Sequence, residues 1–429
     1  MAIVDMNTMK SMKGMKGMKG MMCMKCMKCM KCGKEFPPAP DRYVCDSCGI
    51  DGILDIIYDY KKIRFTRKGL EDDRDPSMWR YRPLLPLMDD TKVSPLQVGW
   101  TPMYKLSSYG REHGINVLLK DDGRNPTASL KDRASAVAVA KAVEAGATAI
   151  CAASTGNAAS SLAGFSASIG MKTFIFVPKR APKAKIAQLL VYGANTIVVD
   201  DSYDRAFEIS VEVSKKYNFY NRNCAYNPYC VEGKKTVAYE IWEQNEFQVP
   251  DRVYVSIGDG CITSGIYKGF FDLLQLGLID RLPRIIAVQA AGCNPVEVAM
   301  RTGVFTPQNG NTIADSIAVG IPRNRLKAMR ALKETKGDCI SVTDDAIKQG
   351  LVTMPRQTGV FGEPAGVTSF AGFCKQLAEG AIKKGETVVI LITGNGLKDI
   401  ESAISVCRLP SPVAPDFPSI EKHMRTLLG

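Results

Sequence analysis

The chain has 429 residues, 45% apolar and 23% charged, and no stretch approaches the roughly 18 uninterrupted apolar residues of a membrane span. A transmembrane protein and a wholly disordered one are excluded, and at roughly 100–200 residues per domain the length suffices for two to three domains. The formal charge of +12 is uneven: residues 1–34 hold eight Lys and one acid, Asp5, giving +7 and leaving +5 for the other 395, which disfavours an extended nucleic-acid-binding face.

The opening MAIVDMNTMKSMKG lacks the apolar core and cleavage site of a secretory signal and the Arg/Ser enrichment of a transit peptide. The fourteen Cys are therefore expected in a reducing, cytoplasmic compartment. Residues 9–32 repeat a Met-Lys-x triplet. A period of three matches neither helix nor strand, which predicts a solvated, disordered low-complexity tail over residues 1–28. The alternative is a soft-metal tail, because thioether and thiolate ligands suit copper(I).

Cys29 and Cys32, then Cys45 and Cys48, give C-x2-C-x12-C-x2-C, with Gly33 and Gly49 after the two pairs. That spacing lets four thiolates converge on one structural zinc, predicting a zinc-ribbon-like segment over residues 29–60. The competing reading is unbound thiols, and Cys23 and Cys26 repeat the spacing of the first pair. With so little core of its own, the ribbon is expected to dock on the body.

From about residue 60 the text becomes α/β. Apolar runs at 117–119, 149–152, 173–177, 196–199, 252–257, 284–288 and 387–392 read as buried strands, with Ala-rich helical segments such as 133–144 and 158–168 between them. This alternation predicts wound parallel sheets, with ligands at the carboxyl ends of the strands.

The loops at those ends carry the chemistry. Asn125-Pro126-Thr127-Ala128-Ser129-Leu130-Lys131-Asp132-Arg133 follows the strand VLLK. Alone it reads as a helix start capped by Ser129 with Lys131 solvated; beside anion-binding loops, Lys131 reads as a Schiff-base lysine. Ser154-Thr155-Gly156-Asn157 opens a helix after AICAA, a seat for a carboxylate or phosphate. Gly258-Asp259-Gly260-Cys261-Ile262-Thr263-Ser264-Gly265 follows RVYVSI. Its G-x-G-x4-G spacing, and Gln289 at the end of the next strand, disfavour NAD. It lacks the Lys of a Walker A loop, so a single phosphate fits better. A catalytic histidine is disfavoured, since His113 and His423 both lie outside these motifs.

NPTASLKDRA, STGNAAS, GDGCITSG and ITGNGLKD, in this order, resemble the threonine synthases, pyridoxal-phosphate enzymes of the tryptophan-synthase-β-like fold. The resemblance runs over roughly residues 29–410. It implies a large cofactor domain over 61–140 and 232–429, a small substrate domain over 141–231, and a homodimer. It implies conversion of O-phosphohomoserine and water to L-threonine and phosphate. Lys131 would bind the cofactor and move protons, Asn157 would bond the ring hydroxyl, and Thr393 the ring nitrogen. Gly258, Asp259, Gly260, Cys261, Ile262 and Thr263 would cradle the cofactor phosphate, while Ser154, Thr155, Gly156 and Asn157 would take the substrate carboxylate.

Departures from the family pattern bear on the substrate. Cys230 stands where an Arg commonly clamps the substrate phosphate, Ala158 where Thr is common, Asn395 where His is frequent and Asp259 where Asn is usual. The Asp259 carboxylate is expected to point away from the phosphate, and Lys120, Arg124, Lys234 and Lys235 are the cations available to replace the Arg. Most body cysteines read as core residues, with Cys230 and Cys261 bordering the site. Two alternatives stand: another elimination or replacement enzyme on this scaffold with a different leaving group, and a non-catalytic metal- or nucleic-acid-binding protein.

Overall fold

A computed structural model describes residues 23–179 and 183–428. Its largest sheet has the strand order Asp338–Val342, Arg284–Ala290, Arg252–Ser256, Thr387–Ile392, Asn116–Asp121, Met103–Lys105. The pairings are parallel except the last, which is antiparallel. The central strands are buried almost throughout because helices cover both faces, and such strands read in sequence as unbroken apolar runs. A second, wholly parallel sheet runs Tyr220–Asn221, Ala149–Ala153, Lys172–Pro178, Asn195–Val199. All seven strands expected in the body are present, and the helices expected at 133–144 and 158–168 span Lys131–Glu144 and Asn157–Ala167. The wound α/β expectation therefore holds. Sequence reading missed the edge strands Met103–Lys105, Tyr220–Asn221 and Asp338–Val342, which are short or interrupted by polar residues.

The third sheet is antiparallel, in the order Glu35–Phe36, Met24–Cys29, Gly49–Tyr58, Val44–Cys45. Its second strand corrects the expectation of a disordered tail reaching residue 28. Met24, Cys26, Met27 and Cys29 are buried while Lys25 and Lys28 face solvent. A register shift between Met24 and Cys26 lets the three-residue repeat keep both lysines outward. Residues 1–22, and the copper(I) reading of their Met-Lys repeat, lie outside the described residues.

The ribbon docks on the body, as its small size requires. Met24, Met27, Phe36, Leu54, Ile56 and Tyr58 belong to the main core cluster. Asp55 meets Lys268 at 3.0 Å and Lys327 at 3.1 Å, and the Tyr58 hydroxyl donates to Glu232 at 2.6 Å. Among the described residues no helix is long and apolar enough to cross a membrane.

Candidate active site

The carboxyl ends of both parallel sheets face a cavity of about 160 Å³ lined by Lys131, Ser154, Lys234, residues 258–263, Glu363 and Thr393. Six separate stretches of chain thus meet in one place.

Lys131 is the first residue of its helix, and the loop before it is pinned from several sides. The Asp132 carboxylate accepts from the Thr127 amide at 2.6 Å and from its hydroxyl. The Leu130 amide donates to the Thr393 carbonyl at 2.9 Å, and the Asn395 amide to the Ala128 carbonyl at 3.0 Å. Ala128 holds φ +64°, a left-handed conformation that a non-glycine residue keeps only when its surroundings fix it. Ser129 does not cap the helix: it is buried and its hydroxyl has no hydrogen-bond partner among the described residues. Nor is Lys131 solvated; burial, reinforced by the charge of Lys234, lowers its pKa to about 8.

Asn157 is buried and donates from Nδ2 to Glu363 Oε1 at 2.7 Å. Ser154 lines the main cavity, whereas Thr155, Gly156 and Asn157 line an adjoining recess that shares Ser316, Glu363 and Ala365 with it. Glu363 was not singled out in the sequence, although Glu-Pro opening a helix was a visible signal. Burial raises its carboxyl pKa. Lys398, part of the ITGNGLKD motif, donates to the Thr127 carbonyl and the Ser160 hydroxyl, each at 3.0 Å, and so ties three motifs together.

In the glycine loop, Gly260 has φ +92°, and a Cβ on Gly258 would lie 2.9 Å from the Ile317 Cα. Helix Cys261–Gln275 begins at once. The Thr263 hydroxyl is fully buried without a hydrogen-bond partner among the described residues. The Asp259 carboxylate accepts from the Arg323 amide at 2.9 Å.

Asn395 accepts from the Leu397 amide at 3.0 Å and so closes its own turn. Ala158 lines the cavity, and no histidine does. Cys230 is buried with its thiol on the Arg222 carbonyl at 3.4 Å. Away from this cavity, the Sγ atoms of Cys29, Cys32, Cys45 and Cys48 lie within 4.8 Å of one another, the donor set of a closed tetrahedral site. Gly33 and Gly49 have positive φ, turning the chain after each pair. Cys23 and Cys26 stay outside this cluster.

A family model for pyridoxal-phosphate dependent enzymes matches residues 95–394. The threonine synthase of Methanocaldococcus jannaschii is 37% identical over 402 residues, spanning 92% of this chain and 98% of that protein. That of Methanosarcina acetivorans is 36% identical over 395 residues, spanning 91% and 96%. The chain belongs to the threonine synthases.

Solved structures agree on the fold. The processed form of threonine deaminase isoform 2 from Solanum lycopersicum superposes with a TM-score of 0.62 at 19% identity, covering 72% of this chain and 88% of that one. Maize serine racemase gives 0.60 at 20%, covering 76% and 92%. The protein is therefore a pyridoxal-phosphate-dependent lyase of the tryptophan-synthase-β-like fold. Its residues fit that cofactor: a buried hydroxyl without a partner and a glycine turn stand where a phosphate would sit, and an amine of lowered pKa shares the cavity.

Proposed function

We propose that this pocket converts O-phosphohomoserine and water to L-threonine and phosphate by γ-elimination and β-addition, with Lys131 as cofactor lysine and proton carrier. The observation that carries this reading is the amine of Lys131, held near pKa 8 in the same cavity as the 258–263 loop. Pyridoxal phosphate, when bound, supplies an electron sink next to the substrate's α-carbon. Gly258, Asp259, Gly260, Cys261, Ile262 and Thr263 would hold its phosphate through backbone amides at a helix N-terminus and the Thr263 hydroxyl. Asn157 would bond the ring hydroxyl and Thr393 the ring nitrogen. Ser154, Thr155, Gly156 and Asn157 would take the substrate carboxylate. Lys131 Nζ, in its neutral form, takes the proton from the substrate's α-carbon. A second proton leaves the β-carbon as the γ-carbon–oxygen bond breaks and phosphate departs, and a proton is delivered to the γ-carbon. Water adds its hydroxide at the β-carbon and gives its proton to solvent, and Lys131 returns a proton to the α-carbon.

We also assign a structural zinc to Cys29, Cys32, Cys45 and Cys48, whose sulfur donors leave no open position for catalysis. Residues 61–140 with 232–429 form the cofactor domain and 141–231 the substrate domain in this reading, and the protein acts in the cytoplasm. A homodimer is supported by helix Phe417–Leu428, which buries none of its residues and exposes Phe417, Ile420, Met424 and Leu427. Sedimentation of the full chain reads that state, and a monomer at micromolar concentration refutes it.

The deciding experiment is steady-state release of phosphate and threonine from O-phosphohomoserine by the cofactor-loaded protein. Equal amounts of both are expected, with Lys131→Ala slower by about 10²–10⁴-fold. A wild-type protein that releases neither refutes the substrate, and full activity in Lys131→Ala refutes the lysine's role.

A further inference from the structure

Four cations were available to replace the Arg lost at Cys230, and the structure separates them. Lys120 is held by Glu240 at 2.7 Å and by the Thr101 carbonyl at 2.6 Å. Lys235 lies between Glu232 and Asp272, 2.7 Å from each. Arg124 is exposed on the surface. Lys234 alone of the four lines the cavity, and it is 1% exposed.

Among the described residues the Lys234 ammonium has one hydrogen-bond partner, the Cys224 sulfur at 2.6 Å, and no carboxylate at ion-pair distance. A buried ammonium needs a counter-anion. Here Cys224 provides it: the neighbouring Cys230 and Cys261 thiols, then the charges of Lys234 and Arg222, hold its thiol well below the usual range against the opposing effect of burial. The cavity as a whole is short of negative charge. Lys131, Arg222, Lys234 and Arg323 line it; Arg323 is paired with Asp204 at 2.9 Å and Arg222 is held by the Ser135 hydroxyl at 3.0 Å, while the cavity's carboxyls, Asp259 and Glu363, are both shifted by burial toward the neutral form.

We propose that Lys234 is the cavity's phosphate-binding cation and that Cys224 is its exchangeable counter-ion. A phosphate dianion takes the ammonium from Cys224; the released thiolate takes one proton from solvent and stays as a neutral thiol. Each phosphate bound is therefore accompanied by uptake of one proton. The dianion is either the cofactor's phosphate or the substrate's leaving group, and only the second source rests on the threonine-synthase reading.

The test uses the full chain with and without pyridoxal phosphate, each with and without inorganic phosphate, and measures iodoacetamide labelling of Cys224 by peptide mass spectrometry and proton uptake in weak buffer. Slower labelling with one proton taken up when inorganic phosphate joins the loaded enzyme identifies the substrate subsite. The same pair of changes on cofactor loading alone identifies the cofactor's phosphate. Proton uptake in neither arm overturns the proposal.

Lys234→Met gives an independent reading. Loss of one charge-assisted hydrogen bond is expected to raise either the substrate KM or the cofactor Kd by about 10- to 100-fold, with kcat changed much less and with Lys234→Arg restoring most of the affinity. Unchanged KM and Kd in Lys234→Met also overturn it. If the variant does not fold, the wild-type proton measurement still decides. If the wild-type enzyme leaves O-phosphohomoserine untouched, the substrate reading fails while the inorganic-phosphate arm still decides the site.

Discussion

A lysine amine with an ordinary pKa is almost wholly protonated at neutral pH and takes no proton from carbon. Lys131 escapes this because burial and Lys234 bring it to about 8. Capture of pyridoxal phosphate by the cofactor-free chain should therefore accelerate with pH and level off above a midpoint near 8, as stopped-flow absorbance will read. Replacing Lys234 by Met removes a repelling charge and should move that midpoint upward. A wild-type midpoint at the unperturbed 10.5 would sink the assignment. The same shift affects stability with a definite sign. The folded amine binds its proton less tightly than the unfolded one, so stability rises with pH between about 8 and 10.5, and Lys131→Met should abolish that slope. Lys131, Asn157, Thr393 and the 258–263 loop were legible in the sequence because each stands in a motif at a strand end. Glu363 and Arg222 were not, because neither motif nor spacing reveals which distant loop ends share a cavity.

The helix that presents Lys131 is anchored by a buried charge network two residues further on. Arg133 meets Asp122 at 2.7 Å and Glu240 from both amino groups, and Lys120 meets Glu240 at 2.7 Å. The network joins the strand Asn116–Asp121, the helix Lys131–Glu144 and the helix Thr236–Gln244. Burial opposes ionisation of Glu240, but Arg133 and Lys120 outweigh it and bring the carboxyl down to about 2. Its contribution to stability is thus full above the unfolded value of 4.5 and is lost as pH falls from there through about 2. Glu240→Gln should cost about 3–5 kcal/mol, because it leaves Arg133 and Lys120 short of buried negative charge. Urea unfolding across that pH window is the check: the variant should be weaker at neutral pH and lack the acid-side slope. Equal stability would mean the network is electrostatically idle. The elements themselves were legible where a strand runs as an unbroken apolar stretch, and not at the two-residue strand Tyr220–Asn221, although both its residues are buried. The Met-Lys-Cys strand was not, since only its pairing with Gly49–Tyr58 and the register shift give a three-residue repeat a buried side.

At the scale of the molecule, the ribbon and the active site share an element. The ribbon's Tyr58 bonds Glu232, and the Ala39 carbonyl accepts from the Tyr229 hydroxyl at 2.8 Å. Both partners lie on helix Tyr229–Lys234, which also carries Cys230 and Lys234. Asp55 completes the contact. Burial alone would raise its pKa, yet Lys268 and Lys327 hold it well below the carboxylate range; it is the carboxylate paired with Lys327, while Lys268 is shared with Glu232 at 3.0 Å. Two substitutions separate metal from docking. If the four cysteines hold the proposed zinc, Cys45→Ser should release it and lower the melting temperature. Asp55→Asn should keep the zinc and still destabilise, by roughly 3 kcal/mol, because it uncouples a sound ribbon from the body. If the shared helix transmits the loss, both variants should raise the substrate KM more than they lower kcat, since Lys234, the residue that helix brings to the cavity, is proposed to bind rather than react. A normal KM in an Asp55→Asn protein that melts early would confine the ribbon to a stabilising role. A normal melting temperature in the same variant would show that the buried ion pairs do not hold the ribbon down, leaving its attachment to the hydrogen bonds of Tyr58 and Ala39 and the apolar contacts of Met24, Met27, Leu54 and Ile56.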